Sequence, residues 1–452
     1  MSKYLYGASV QGIQDFIFKT NKLQEIVGAS EIVKNISTLF QEKYKADEII
    51  LNAAGNIKAI FNSKEECERV VLEFSKMIQQ YAYGITISQA VIKIGDAVAQ
   101  DDINKLEKNL RIQRNKPSIA LDMSLNIMKL NPSTAKPAIS NDKDIATSQK
   151  IEAYQKIENK TNSDLHKLSN SKNKIAVIHI DGNGLGKLIP NLKKECNLTL
   201  SEFSKKLDEA TKKAFEDAKG DKKIRDIILG GDDVTVICDA DDVLAFTKEF
   251  LENFEQETKK SFKRLTACAG IAYSNEKYPF HYAVSLAETL CGVAKTQSNR
   301  ESSCLMFHNI QSSNFQSWEK FIGHELTIKN DKRTIRCDFG PYYLNETEKS
   351  LIKDFIVLLE SMRIKESPSS KLRTWLSELY KSDTNAKNIL DRIDKMADEN
   401  KNYSKERLNK NFKALDSRLE LNNLIIDNKT PIYDILQVLS ITTAFKGEHN
   451  DS

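Results

Sequence analysis

A chain of 452 residues exceeds what one hydrophobic core supports, about 250 residues, so two or three domains are expected. Hydrophobic content of 40% beside 29% charged residues excludes a disordered chain, and a net charge of +4 demands no dominant nucleic-acid surface. No run approaches the ~20 apolar residues of a membrane span, and the opening "MSKYLYGASVQGIQDF" lacks the apolar stretch of a signal peptide. A cytoplasmic protein with no membrane partner is the expectation.

From 1 to about 113 the pattern predicts a strand (3–9), a long helix (11–45), strands at 48–52 and 56–61, a helix (63–80), a strand (84–94) and a further helix. Ser63 with Glu66 forms a capping-box start for the second of these helices. Residues 114–173 form a polar connection with Pro117, Pro132 and Pro137, carrying one or two helices. From 174 to about 310 the βαββαβ order returns, beginning at "KIAVIHI" and closing with a helix and the strand "CLMFHNI". The two central hairpins correspond, "IILNAAGNIKAIF" in the first copy and "IILGGDDVTVI" in the second, and only the second carries acids. Beyond 310 the spacing turns helical, from "NETEKSLIKDFIVLLESM" to "PIYDILQVLSITTAF". The expected fold class is α+β: two ferredoxin-like units, 1–113 and 174–310, separated by the segment 114–173 and followed by a helical domain, 311–452.

In the second copy the first strand ends at Asp181, 51 residues before Asp232. First strand and central hairpin are neighbours in a βαββαβ sheet, so Asp181, Asp232 and Asp233 are expected to converge. Carboxylates that close repel and stay ionised together only beside a multivalent cation, and hard oxygen donors select Mg²⁺ or Mn²⁺. Such an ion completes its shell with substrate phosphates, as in enzymes that transfer phosphoryl or nucleotidyl groups. Gly230 and Gly231 suit a tight turn at positive φ and leave room for a base or sugar. Gly182, Gly184 and Gly186, with Asn183 and Lys187 in the same loop, precede a helical segment whose N–H groups can hold a triphosphate. Lys295 and Arg300 can offset the charge of the phosphates and of departing pyrophosphate. The seven cysteines contain no CxxC pair and read as small buried hydrophobes; none of the six histidines is assigned to metal, and His179 reads as structural.

Together "DGNGLGKL", "LGGDDVTVI", "AKTQSNRESSCLMF" and the opening "YLYGASVQGIQDFIFKTNKLQEIVGASEIV" resemble the large palm-domain polymerase/cyclase subunit of type III CRISPR systems, and more distantly the GGDEF and class III nucleotide cyclases. The resemblance implies two palm domains, the first catalytically silent, and synthesis of a cyclic oligoadenylate from ATP with pyrophosphate release. Carried over by position, Asp181, the Gly182 carbonyl and Asp232 would hold two metal ions, with Asp233 assisting and Lys295 on the triphosphate. Gly28, Ala29 and Ser30 fall where the resemblance implies a pocket for the acceptor nucleotide. No His-Asp pair of an HD nuclease is found, and "NPSTAKPAIS" lacks the zinc-binding cysteines of many members. Partners implied are ATP or another nucleoside triphosphate, a second copy or CRISPR effector subunits with guide RNA, and an effector that reads the messenger. The alternatives are a non-catalytic RNA- or protein-binding scaffold, and a cyclase or AMP-transferase using GTP or S-adenosylmethionine.

Overall fold

The structure, a computed structural model, describes residues 3–53, 55–95, 98–116, 125, 127–157, 165–311, 317–329, 334–364, 367–399 and 405–443. Parts of the expected connection, 117–124, 126 and 158–164, lie outside the described residues. Two compact units emerge, one running to Leu165 and including Leu188–Glu209, the other formed by His166–Lys187 and Ala210 onward. The fold is α+β with ferredoxin-like sheets and a helical C-terminal region.

The first unit contains β1 (Lys3–Gln11), α1 (Ile13–Phe18), α2 (Leu23–Lys43), β2 (Glu48–Ala53), β3 (Asn56–Phe61), α3 (Lys64–Tyr81), β4 (Thr86–Ile94), α4 (Gln100–Arg114) and α5 (Ile145–Gln155). Its sheet has the order β2-β3-β1-β4, all antiparallel. Leu5, Ile60 and Ile94 bury their side chains against Leu106 and Leu110 of α4, which covers one face. Ser63 caps α3 as expected, its Oγ accepting from the Glu66 N–H at 3.3 Å.

The single helix expected over 11–45 is two helices. The break follows from Thr20, whose hydroxyl oxygen accepts from the Lys22 N–H at 3.2 Å while donating to Glu25 at 2.5 Å, offering the backbone a local turn in place of the helical ladder. Gly28 lies on α2 where the chain passes closest to α5, and a Cβ built there would fall 1.8 Å from the Lys150 carbonyl oxygen. Ala29 and Ser30 beside it are also buried, and the close approach explains the glycine at 28.

The second unit contains β5 (Lys174–Gly182), β6 (Ile224–Gly230), β7 (Asp233–Asp239), β8 (Ala267–Asn275), β9 (Cys304–Asn309), a small hairpin of β10 (Thr327–Lys329) and β11 (Thr334–Arg336), and β12 (Tyr342–Tyr343). Its main sheet has the order β12-β9-β8-β5-β7-β6. The inner four, β8-β5-β7-β6, repeat the order β4-β1-β3-β2, and β9 extends them by pairing parallel to β8. The helices Val243–Ser261 and Phe280–Gln297 bury Phe246, Phe250, Phe254, Leu286, Ala287 and Leu290. The near-continuous apolar run of β5, Ile175 to Ile180, is buried on both faces, as a central strand requires.

The C-terminal helices are Ile352–Ser361, Ser369–Leu379, Asp383–Glu399, Lys405–Leu415 and Ile432–Ile441. The fourth ends ten residues earlier than "SKERLNKNFKALDSRLELNNLI" suggests: Arg418 clamps Asp416 at 2.9 Å, and Asn409 accepts from the Leu421 N–H at 2.9 Å, turning the chain back. Among the described residues no helix is long and apolar enough to cross a membrane.

One buried acid in this region predicts a pH effect. Asp434, 5% exposed, accepts from Tyr342 Oη at 2.9 Å and from the Phe339 N–H at 3.0 Å, yet burial pushes its carboxyl up from 3.8 to about 7. A raised folded pKa gives stability that is full below about 4 and is lost as pH rises through about 7. Wild-type protein should therefore lose more stability between pH 4 and 8 than Asp434→Asn, by on the order of a few kcal/mol in urea unfolding. Parallel pH profiles would remove Asp434 as the cause.

Candidate active site

The candidate site is built at the C-terminal end of β5. Asp181 pairs in register with Asp233 of β7 on one side and Cys268 of β8 on the other. In the β6–β7 hairpin Gly230 pairs with Asp233, which leaves Gly231 and Asp232 as the two turn residues. Positive φ falls on Gly231 alone, at 62°, while Gly230 closes its strand in ordinary conformation, so the turn explains one of the two glycines. The turn is anchored twice: Thr211 Oγ1 donates to the Gly231 carbonyl at 2.5 Å, and the Gly182 N–H donates to the Asp232 carbonyl at 3.2 Å. A Cβ at Gly182 would sit 2.9 Å from Asp232 Cβ, so the approach of strand and turn requires glycine there. The three aspartates expected to converge do so.

Electrostatics follow from that crowding. Burial, then the charge of Asp181, pushes Asp232 up from 3.8 to about 6. Burial, then Asp181, Asp232 and Glu288, pushes Asp233 up to about 7. Asp233 Oδ1 is buried without a hydrogen-bond partner. Its nearest cationic candidate is His179 Nδ1 at 3.6 Å, but burial lowers that imidazole to about 4, so it is neutral and bonds instead to Thr235 Oγ1 at 3.1 Å. His179 is structural, as its strand position suggests.

Lys295, 6% exposed in the last turn of Phe280–Gln297, supplies the local positive charge. Its Nζ lies 2.5 Å from Asp181 Oδ2 and donates to the Gly182 carbonyl at 2.8 Å. The ammonium thus spans two of the oxygens to which the resemblance gives a metal. Glu288, two helical turns before Lys295, adds a smaller negative charge that raises the Asp233 pKa. It was missed in the sequence, where the only available signal was its seven-residue spacing from Lys295.

The remaining candidates sit differently. Asn183, 4% exposed, donates through Nδ2 to Thr266 Oγ1 at 3.0 Å and to the Ser302 carbonyl at 3.3 Å, pinning the loop to the fold. The helix expected after the glycines is one turn, Leu185–Leu188, cut short by the 3₁₀ turn at Ile189–Asn191 that contains Pro190. It takes in Gly186 and is too short to build an anion cradle. Gly184 holds φ at 75°, and Lys187 is exposed with its N–H on the Gly184 carbonyl at 3.0 Å. Arg300 is exposed beyond the helix end, its N–H on the Lys295 carbonyl at 2.9 Å.

Among the described residues, no group of three or more His, Cys, Asp or Glu side chains is arranged to grip a metal ion. The donor set fits a different mode, in which Mg²⁺ takes one or two carboxylates and fills its shell with water and phosphate. All donors are hard oxygens, and the orphaned Asp233 Oδ1 is an acceptor that protein hydrogen bonds leave unmet.

Residues 174–304 match the family described as Cas10/Cmr2, second palm domain. This segment is similar to that palm family. The Cas10-like sheet carries the whole aspartate constellation, since Asp181, Asp232, Asp233 and Lys295 all lie inside the matched residues. Among solved structures, Csm1 of T.onnurineus is similar at 13% identity, covering 98% of this chain and 70% of that one, with a TM-score of 0.56. A Csm1-Csm4 cassette in complex with pppApApA is similar at 12% identity, covering 97% and 69%, with a TM-score of 0.59. A Csm1-Csm4 cassette in complex with cA3 gives 12%, 97%, 69% and 0.55. At these identities the likeness is one of fold. No curated protein matches the chain.

Proposed function

We propose that this Cas10-like protein is a metal-dependent nucleotidyltransferase that converts ATP to a cyclic oligoadenylate-type messenger with release of pyrophosphate, in CRISPR-type or related anti-phage defence. The observation that carries the reading is Asp181 in register with Asp233 beside the Gly231–Asp232 turn, a carboxylate cluster that the fold itself does not require. The hairpin of β2 and β3, whose sequence carries no acid from Ile49 to Phe61, builds the same topology without carboxylates at its turn. Similar structures bound to pppApApA and cA3 support the nucleotide class. Those structures also contain Csm4, which supports effector subunits as partners. We also propose the division into palm-like 1–113, connection 114–173, palm 174–310 and helical 311–452.

Two Mg²⁺ or Mn²⁺ ions held by Asp181, the Gly182 carbonyl, Asp232 and Asp233 would supply Lewis acidity toward the attacking hydroxyl and the leaving pyrophosphate. The chain's own contribution is placement and charge. Gly231, open on its outer side, lets a sugar or base approach the turn backbone. Lys295, held on Asp181, would place its charge beside a triphosphate bound at the cluster. Gly184, Gly186, Lys187, Gly230 and Arg300 remain proposed nucleotide contacts, and Gly28, Ala29 and Ser30 a proposed acceptor pocket.

The competing reading, a non-catalytic scaffold, draws on the Lys295–Asp181 ion pair, which already neutralises one carboxylate. Purified protein with Mg²⁺ or Mn²⁺ and labelled ATP should yield a phosphatase-resistant product, falling about a hundredfold or more in Asp232→Asn/Asp233→Asn. Undiminished product in the double variant would sink the site assignment. Failure to turn over any nucleoside triphosphate, with salt-sensitive RNA binding, would favour the scaffold.

A further inference from the structure

At the other end of β5 from Asp181, seven residues or about 23 Å along the strand, lies a cavity of about 640 Å³. Its volume is within the range of about 300–1,000 Å³ that small-molecule sites occupy. It is walled by the start of β5, the end of β9 and the helices Ser369–Leu379 and Ile432–Ile441. None of its lining residues belongs to the aspartate constellation.

Three polar groups in it lack counterparts. Lys174 and Arg373 both line the cavity, and among the described residues neither side chain has an ion-pair or hydrogen-bond partner. Lys174 is half-buried, and burial lowers its pKa with no carboxylate to raise it again. Asn309 is 3% exposed, and its Oδ1 is buried with no donor. A buried acceptor without a donor is unfavourable, so such a group calls for an explanation. One carboxylate, Glu325, also reaches the rim, without pairing to either cation.

Aromatic surface completes the lining. Tyr433 is held parallel to the buried His308 ring, 6.2 Å away at 10°, and Tyr380 is fixed by its hydroxyl donating to the Glu325 carbonyl at 2.9 Å. Two cations, one acceptor and flat aromatic walls ask for a ligand with an anionic group, an N–H donor and a planar ring. We propose that this cavity is a second ligand site, separate from the aspartate cluster, that binds a nucleoside monophosphate: phosphate on Lys174 and Arg373, an amino group on Asn309 Oδ1, the base against Tyr433. The inference does not depend on the chain being a cyclase.

The test is calorimetric titration of the full chain with AMP, adenosine and inorganic phosphate in EDTA, which silences metal-dependent binding elsewhere. AMP should bind saturably, with adenosine and phosphate about tenfold or more weaker. Arg373→Glu, on an exposed helix position, should weaken AMP about tenfold or more with an unchanged melting curve, and Lys174→Gln should weaken it as well. Asp232→Asn/Asp233→Asn should bind AMP as the wild type does. The inference is overturned if AMP does not bind up to millimolar concentration, if phosphate binds as tightly as AMP, if both cation variants leave binding unchanged, or if binding is lost in the aspartate double variant.

Discussion

Asp232→Asn/Asp233→Asn is expected to melt at a higher temperature than the wild type at pH 8 in EDTA, and to lose ATP turnover when Mg²⁺ is supplied. The folded protein holds three carboxyls where strand and turn meet, and burial, with their mutual repulsion, raises Asp232 to about 6 and Asp233 to about 7, from an ordinary 3.8. A carboxyl with a raised folded pKa gives stability that is full below about 4 and is lost as pH rises through the folded value. At pH 8 both groups are ionised and their repulsion is stored in the folded state. Asparagine removes it, so the variant's advantage should grow from pH 4 to 8. Because the Asp233 side chain is 43% exposed although its Oδ1 is buried, solvent screens part of the effect, and the direction of the melting shift is the readout.

The same variant separates function from folding. If the carboxylates exist to hold cations, adding Mg²⁺ or Mn²⁺ should raise the wild-type melting temperature by mass action and leave the double variant unmoved. A variant that melts lower than wild type at pH 8 would mean that the aspartates are structural, stabilised by contacts such as Lys295, and would remove the physical basis of the site.

The duplication and the acids were legible in the sequence because both are local. Strand periodicity marks β1 to β9, and a pair of glycines before Asp232 and Asp233 marks a turn. Register followed from topology, since the first strand and central hairpin are adjacent in any βαββαβ sheet. What escaped depends on side-chain reach and on competing local bonds. Nothing around Glu288 separates it from the other charges of its helix until the helix is laid over β8 and its charge is felt at Asp233. The role of Asn183 is similarly hidden: a polar residue between glycines suggests a ligand contact, whereas Thr266 and Ser302, both distant in sequence, bind its amide. The break before α2 came from one threonine hydroxyl, too small a signal to interrupt an apolar helical pattern.

Gly270→Ala should cost more stability than any other single-methyl change near the site, and should carry the site with it. Gly270 lies in the middle of β8, between His179 of β5 and Met306 of β9, under the helix Phe280–Gln297. A Cβ there would stand 1.9 Å from the Ala287 carbonyl oxygen and 2.4 Å from the Cys291 nitrogen, both backbone atoms that no rotamer change can move aside. The helix must therefore lift, and it carries Lys295 and Glu288. Overpacking of this kind costs about 1–3 kcal/mol or more. Gly292→Ala is the matched control in the same helix: nothing lies within 4 Å of its added Cβ, and alanine should stabilise by about 0.5–1 kcal/mol. In urea unfolding the two variants should move in opposite directions. Turnover per folded molecule should fall only in Gly270→Ala, because the ammonium is displaced from its place beside the aspartate cluster, where it would meet the triphosphate. Wild-type stability in Gly270→Ala would show that the helix does not rest on β8 as closely as the structure has it, and the placement of Lys295 would fall with it.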